Sequence, residues 1–168
     1  MNRWTRTLRH AWSDRRDVAL ALGSGALDRL TTRVAASETR HAGEIRLCIE
    51  AGLPPLAAWR GCTPRERALD CFSQLRVWDT EANNGVLIYL LLADRDIEIV
   101  ADRGLHRRVG EARWRRIADT LSDALRAGQF EEGLARAIDE VTDLLVQHFP
   151  LAVGAANPNE LPDAPVIR

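Results

Sequence analysis

The sequence predicts an α/β fold, a three-layer α/β/α sandwich built on a small mixed sheet. Helical and strand patterns follow one another in the order α-β-α-β-β-α-α. The helix between the first two strands is long enough for a right-handed parallel crossover. Only residues 93–95 separate the second strand from the third, which indicates an antiparallel hairpin. We therefore expect helices on both faces of the sheet.

Length and composition fit one globular domain of this class. The chain has 168 residues, of which 46% are hydrophobic and 28% are charged, a balance typical of a folded domain. The 23 basic and 24 acidic residues nearly cancel, so no overall basic field indicates binding to nucleic acid. Apolar runs are too short for a membrane span or a signal-peptide core, which predicts a cytoplasmic protein.

Residues 1–23 form a basic amphipathic segment ahead of the domain. Its first 16 residues carry five arginines and one aspartate, and one helical face carries four apolar side chains: Trp4, Leu8, Ala11 and Trp12. The two tryptophans can dock on the domain or on a second subunit. A basic helix of this kind can also lie on an anionic membrane surface, which would place the protein at the inner face of the membrane.

The domain is predicted over residues 24–149 and begins with a helix. Ser24 is a suitable N-cap for that helix. Residues 44–50 then alternate apolar and polar side chains, a pattern that predicts a half-buried first strand.

The clearest local signal is the start of the crossover helix. Thr63 can cap it, Pro64 suits its first turn, and Glu66 can close a capping box. We expect this helix to end near Trp78.

Two strands and two helices complete the domain. The apolar run Gly85–Leu92 predicts a buried second strand, and Asp96–Asp102 alternates as a less buried third strand. Helical periodicity covers Glu111–Arg126 and Phe130–His148. Prolines and glycines interrupt residues 150–168, which we expect to form a loosely ordered tail.

Charge is divided between two neighbouring segments. Residues 79–102 hold six acidic side chains and one arginine, whereas residues 103–116 hold six arginines and one glutamate. If the hairpin turns near residue 94, Leu87 lies opposite Asp102. The loop before the second strand then meets the end of the third strand at one end of the sheet, here called the first pole. The start of the first strand lies there too.

Four side chains at the first pole are candidate ligands of a hard cation: Asp79, Asn83, Asn84 and Asp102. Carboxylate and amide oxygens suit Ca²⁺ or Mg²⁺. The pair of asparagines before a strand is equally consistent with a plain turn. The opposite end of the sheet, the second pole around Asp94, is an alternative site, because ligands often bind at the carboxyl ends of parallel strands. The residues alone leave these alternatives open.

An ordered series of short motifs resembles the TPM domain family between Glu44 and Phe149. The motifs are Gly43–Arg46, Arg67–Trp78, Asn83–Ile88, Ala93–Arg95, Ile97–Ile99, Asp102–Leu105 and Gly128–Leu134. This family includes proteins similar to a thylakoid-lumen acid phosphatase and to a photosystem repair factor. The resemblance is to a short soluble bacterial-type branch, and it implies an α/β/α sandwich with a divalent metal at an acidic loop. Family members often carry Gly-Tyr-Gly where this chain has Asp102-Arg103-Gly104.

Two functions are compatible with these observations. The first is a non-enzymatic accessory domain that binds a divalent cation together with a protein partner or a membrane surface. The alternative is a metal-dependent phosphomonoesterase, in which Asp79 and Asp102 hold the metal and Arg103 contacts the phosphate. In that mechanism Asn84 orients the metal, which activates water.

Overall fold

The computed structural model describes residues 3–168. Its helices are α1 Arg3–Trp12, α2 Arg15–Leu22, α3 Ala26–Glu38, α4 Pro55–Arg60, α5 Pro64–Gln74, α6 Arg103–Val109, α7 Glu111–Arg126 and α8 Phe130–His148. Its strands are β1 Glu44–Glu50, β2 Gly85–Leu91, β3 Asp96–Ala101 and β4 Val166–Ile167.

One four-stranded sheet organises the domain, with the strand order β3-β2-β1-β4. Strand β1 runs parallel to β2 and to β4, and β2 pairs antiparallel with β3. One core packs α3, α7 and α8 against a face of the sheet, and a second core packs α4 and α5 against the other. The predicted three-layer sandwich with its parallel crossover and hairpin is confirmed.

The predicted capping box starts α5. The Thr63 side chain accepts from the Glu66 N–H, and the Glu66 carboxylate accepts from the Thr63 N–H. The helix ends at Gln74, earlier than the expected end near Trp78. Arg76 adopts a left-handed backbone with φ 54°, and Val77 N–H donates to Phe72 O across it, which closes the helix.

The start of α3 differs in the same local way. The sequence predicted Ser24 as the N-cap, but Gly25 occupies that position with a left-handed φ of 70°. A glycine reaches this backbone conformation without steric cost, so the chain enters the helix one residue later.

Strand β1 is buried along its whole length, whereas the sequence predicted a half-buried strand. Its polar face carries Arg46 and Glu50. Arg46 donates to the carbonyl oxygens of Pro162 and Ala164, and Glu50 pairs with Arg67. The polar side chains that alternate along β1 therefore lie on a face that is buried against polar partners rather than exposed to water.

The hairpin register is shifted by two residues from the predicted one. Leu87 pairs with Val100 rather than with Asp102. A 3₁₀ turn at Leu92–Asp94 followed by a left-handed Arg95 takes up the connection. A shift of two preserves which side chains share a face, because side chains alternate with a period of two.

The end of the tail folds back onto β1, whereas residues 151–165 form no helix or strand. Cys48 and Ile49 pair with the two residues of β4. The backbone continues the pairing, since Arg168 N–H donates to Ile49 O and Ala51 N–H donates to Arg168 O. Prolines are tolerated in the tail because it lies at the edge of the sheet, where one side of its backbone needs no hydrogen-bond partner.

A candidate cation site at the first pole

The topology brings the starts of β1 and β2 and the end of β3 together at the first pole. Glu44 at the start of β1 lies beside Gly85 at the start of β2. On the other side of Gly85, its carbonyl accepts from Asp102 N–H at 2.9 Å. The convergence predicted from the strand order is therefore observed.

The loop before β2 is a series of tight turns. Asp79 N–H donates to Arg76 O at 2.9 Å, and Asn83 N–H donates to Thr80 O at 3.2 Å. Asn83 has a left-handed φ of 52°, the conformation expected from the turn interpretation. Asn84 N–H then donates to the Thr80 hydroxyl oxygen at 3.1 Å.

The four predicted ligands divide into two pairs. Asp79 and Asn83 are exposed, whereas Asn84 and Asp102 are buried. The Asn84 amide nitrogen donates to Ala42 O at 2.7 Å, which leaves its Oδ1 buried without a hydrogen-bond partner. The amide is thus held with its acceptor oxygen uncommitted.

Asp102 ends the strand and begins the next helix. Its Oδ1 accepts from Arg103 N–H at 2.6 Å as the N-cap of α6, and its Oδ2 is buried without a partner. Burying an unpaired carboxylate oxygen is costly, so a positive ligand at this atom would be stabilising. The Arg103 side chain next to it is exposed.

Backbone carbonyls crowd the same region. A Cβ on Gly104 would overlap the carbonyl oxygen of Asn83 and lie 3.0 Å from that of Ala82. A Cβ on Gly85 would overlap the carbonyl oxygen of Val77. Carboxylate, amide and carbonyl oxygens are the donors that Ca²⁺ takes in proteins. The residues of the first pole therefore fit a hard cation in chemical type.

Three titratable side chains near the start of β1 are buried, and the sequence did not single them out as ligands. Burial raises the pKa of Glu38 to about 8, although its Oε1 accepts from Ile45 N–H. Burial also raises the pKa of Glu44, whose Oε2 accepts from Leu161 N–H at 3.1 Å. Burial lowers the pKa of His41 to about 4. The tail contributes to these environments, since Leu161 N–H donates to Glu44 and the Asn157 amide donates to His41 O, and the sequence pattern gave no sign of these contacts.

The second pole is occupied by the chain itself. Asp94 accepts from Arg6 at 3.0 Å and from Arg9, and it lies 3.3 Å from His10 Nε2. Burial works against its ionised form, but the hydrogen bonds from His10 and Arg6 outweigh burial and lower the pKa of Asp94 below its usual value. Asp94 therefore anchors α1.

Two wider features bear on function. Within residues 3–168, no three His, Cys, Asp or Glu side chains form a group that could hold a metal ion. A cation at the first pole would therefore depend on amide and carbonyl oxygens as well as carboxylates. In the same part of the chain, no helix is both long and apolar enough to cross a bilayer.

Comparison with known proteins agrees with this architecture. The family model of the TPM domain matches residues 16–144, and so begins well before Glu44. The BA42 protein of the psychrophilic bacterium Bizionia argentinensis has a solution structure similar to this one, with a TM-score of 0.75 and 24% identity over 88% of this chain and 95% of that chain. The N-terminal domain of a P. gingivalis protein is similar with a TM-score of 0.57, at 24% identity over 78% of this chain and 83% of that chain. No curated protein matches the chain.

Proposed function

Because the chain belongs to the TPM domain family, we propose that it is a non-enzymatic binding domain that takes a divalent cation at the first pole. The observation that carries this proposal is the buried Oδ2 of Asp102, which has no hydrogen-bond partner. A bound cation would supply the missing positive charge.

The donor set favours Ca²⁺ over Mg²⁺. Asp102 offers a carboxylate and Asn84 an amide oxygen, and the loop adds the carbonyl oxygens of Ala82 and Asn83. Ca²⁺ accepts irregular sets of such oxygens, whereas Mg²⁺ requires near-octahedral geometry and keeps several waters. The exposed Asp79 would contribute from the rim of the loop.

A non-enzymatic role is supported by the bonds that already hold the reactive groups of the pole. The Thr80 hydroxyl accepts from Asn84 N–H, and the buried His41 ring contacts Gly43 O through Nδ1 at 3.1 Å. A catalytic hydroxyl or imidazole must be free to reach a substrate. In this arrangement the Thr80 hydroxyl supports the loop before β2 and the His41 ring is buried ahead of β1, and the cation would order the loop for a protein partner.

Calorimetric titration of Ca²⁺ and Mg²⁺ into chelator-treated protein tests the proposal. We expect stoichiometric Ca²⁺ binding that is lost in Asp102→Asn, because asparagine keeps the N-cap of α6 but removes the charge. Asp14→Asn is a matched control, since Asp14 also caps a helix through its side chain, and that helix, α2, is not part of the first pole. Binding that survives unchanged in Asp102→Asn, or no binding at all, would refute the proposed site.

The phosphomonoesterase alternative is separated by one further measurement. Wild-type protein is assayed for hydrolysis of a generic phosphomonoester with each metal. Metal-dependent turnover that disappears in Asp102→Asn and weakens in Arg103→Gln would replace the non-enzymatic proposal with the enzymatic one. We expect the wild type to hydrolyse the phosphomonoester no faster than the Asp102→Asn and Arg103→Gln variants do.

A further inference from the structure

Helix α1 is amphipathic, but it packs in the opposite sense from a helix of a globular core. Its inner face is polar, with Arg6 and the buried His10 one turn apart. Its outer face is apolar, with Trp4, Leu8 and Trp12 exposed by 63%, 53% and 83%. A surface helix normally buries its apolar stripe and exposes its charges. The exposed stripe therefore calls for a separate explanation.

Specific hydrogen bonds fix the inner face. Arg6 donates to Asp94 and to Cys62 O, the latter at 2.9 Å. His10 Nδ1 accepts from Leu53 N–H at 3.1 Å, and the backbone of His10 presses on Gly52, where a Cβ would not fit. The helix is thus anchored to the domain at several points, and its outward orientation is determined by these anchors.

The outer face continues onto the neighbouring helix. The rings of Trp4 and Trp59 meet edge to face with their centroids 4.6 Å apart, and Trp59 of α4 is itself 40% exposed. We call the set Trp4, Leu8, Trp12 and Trp59 the tryptophan surface. Four exposed arginines belong to the same two helices and the start of α2: Arg3, Arg15, Arg16 and Arg60.

We propose that the tryptophan surface binds an anionic membrane surface, with α1 lying flat in the interface and the arginines meeting lipid phosphates. Tryptophan is suited to the headgroup region, because its ring is apolar and its N–H is polar. Exposed arginines complement anionic lipid, and two of them, Arg3 and Arg60, adjoin Trp4 and Trp59 in the sequence. The helix has ten residues, about 15 Å of length, which suits lying on a bilayer and not crossing it.

The alternative occupant, a second copy of this chain, fits the surface less well. The exposed parts of the three tryptophans amount to roughly 400 Å² per chain, when each ring offers about 200 Å². A standard protein interface buries about 800 Å² per partner. Pairing two copies through this face would also bring the arginines of both chains together.

Vesicle co-sedimentation of the full chain in the presence of chelator tests the inference independently of any cation. We expect binding to vesicles of equal parts phosphatidylcholine and phosphatidylglycerol, little binding to phosphatidylcholine alone, and weaker binding as salt is raised. The double variant Trp4→Ala, Trp12→Ala should lower the partition coefficient by about tenfold or more. The double variant Arg15→Gln, Arg16→Gln should weaken binding to the anionic vesicles only.

Trp78→Ala is the matched control, because Trp78 is 50% exposed and lies outside α1 and α4. Equal sedimentation of the wild type and the Trp4, Trp12 variant would overturn the inference, as would an equal loss in Trp78→Ala. Sedimentation velocity identifies the competing occupant. If the protein does not bind the vesicles but forms a dimer that requires Trp4 and Trp12, this surface belongs to a second copy and the inference is overturned.

Discussion

Two ion pairs with the same geometry but different burial allow the effect of burial on the strength of an ion pair to be measured. Arg67 donates to both oxygens of Glu50 at 2.8 and 2.7 Å, and Arg33 donates to both oxygens of Asp139 at 2.9 and 2.7 Å. The Arg67 and Glu50 side chains are only 15% and 4% exposed, against 47% and 53% for Arg33 and Asp139. Glu50 also accepts from the Tyr89 hydroxyl at 2.6 Å.

Arg67→Met should lower the unfolding free energy because it leaves the buried Glu50 carboxylate without a cationic partner. Glu50 would keep the Tyr89 hydroxyl as a donor but would lose both bonds to a cation inside the core. Breaking one partner of a buried pair costs about 3–5 kcal/mol of unfolding free energy. Arg33→Met leaves Asp139 in water and should cost less than about 1 kcal/mol. For a domain whose stability is about 5–15 kcal/mol, the first loss is severe.

Urea unfolding followed by circular dichroism measures both variants. At neutral pH the midpoint of Arg67→Met should fall far more than that of Arg33→Met. The double variant Glu50→Gln, Arg67→Met should recover part of the stability, because a neutral amide leaves no unpaired charge in the core. Equal losses in the two single variants would show that burial does not determine the strength of these pairs.

Two further predictions concern the first pole. The folded state raises the pKa of Glu38 from 4.5 to about 8, so it holds a proton that the unfolded chain has lost, and the wild type should become less stable as the pH rises through that interval. Urea unfolding at pH 5 and pH 8 measures this dependence. Between these two pH values the unfolding free energy of the wild type should fall by about 1 kcal/mol or more beyond that of Glu38→Gln, whereas the exposed Glu132→Gln should behave as the wild type does. Gly85→Ala should cost about 1–3 kcal/mol, because its methyl group would overlap Val77 O. Gly133→Ala, which meets Ala124 at an ordinary 3.4 Å within α8, should be neutral or stabilising, and equal midpoints for the two glycine variants would contradict the close approach.

The sequence predicted the parts of the fold that are encoded locally. The capping box of Thr63 and Glu66 is contained within four residues, and it appears in the structure as expected. The parallel pairing of β1 with β2 followed from the length of the connection alone. What the sequence missed depends on contacts between distant segments. The docking of the tail on Arg46 is one such contact, since prolines and glycines carry no signal of a distant partner.

The candidate site divides in the same way. Convergence of Asn84 and Asp102 at one pole followed from the strand order, even though the predicted register was wrong by two residues. The burial of Glu38 did not follow, because a glutamate at the end of a helix normally faces water. The orientation of α1 could not be read from its periodicity. An apolar stripe such as that of Trp4 and Trp12 normally faces the domain, but the ion pair of Arg6 with Asp94 turns the polar face of the helix inward instead.

The docked tail has a consequence for the order in which the domain folds. Arg46 and Ala164 are 118 positions apart in the chain, so their contact closes one of the longest loops in the molecule. Loops of this length close late, since their entropic cost is met only after the local elements have formed. Until then β1 is an open edge, with Cys48 and Ile49 lacking the neighbours that they have in the finished sheet. An unpaired edge of this kind favours pairing between nascent chains, and β4 covers Cys48 and Ile49 when the tail docks.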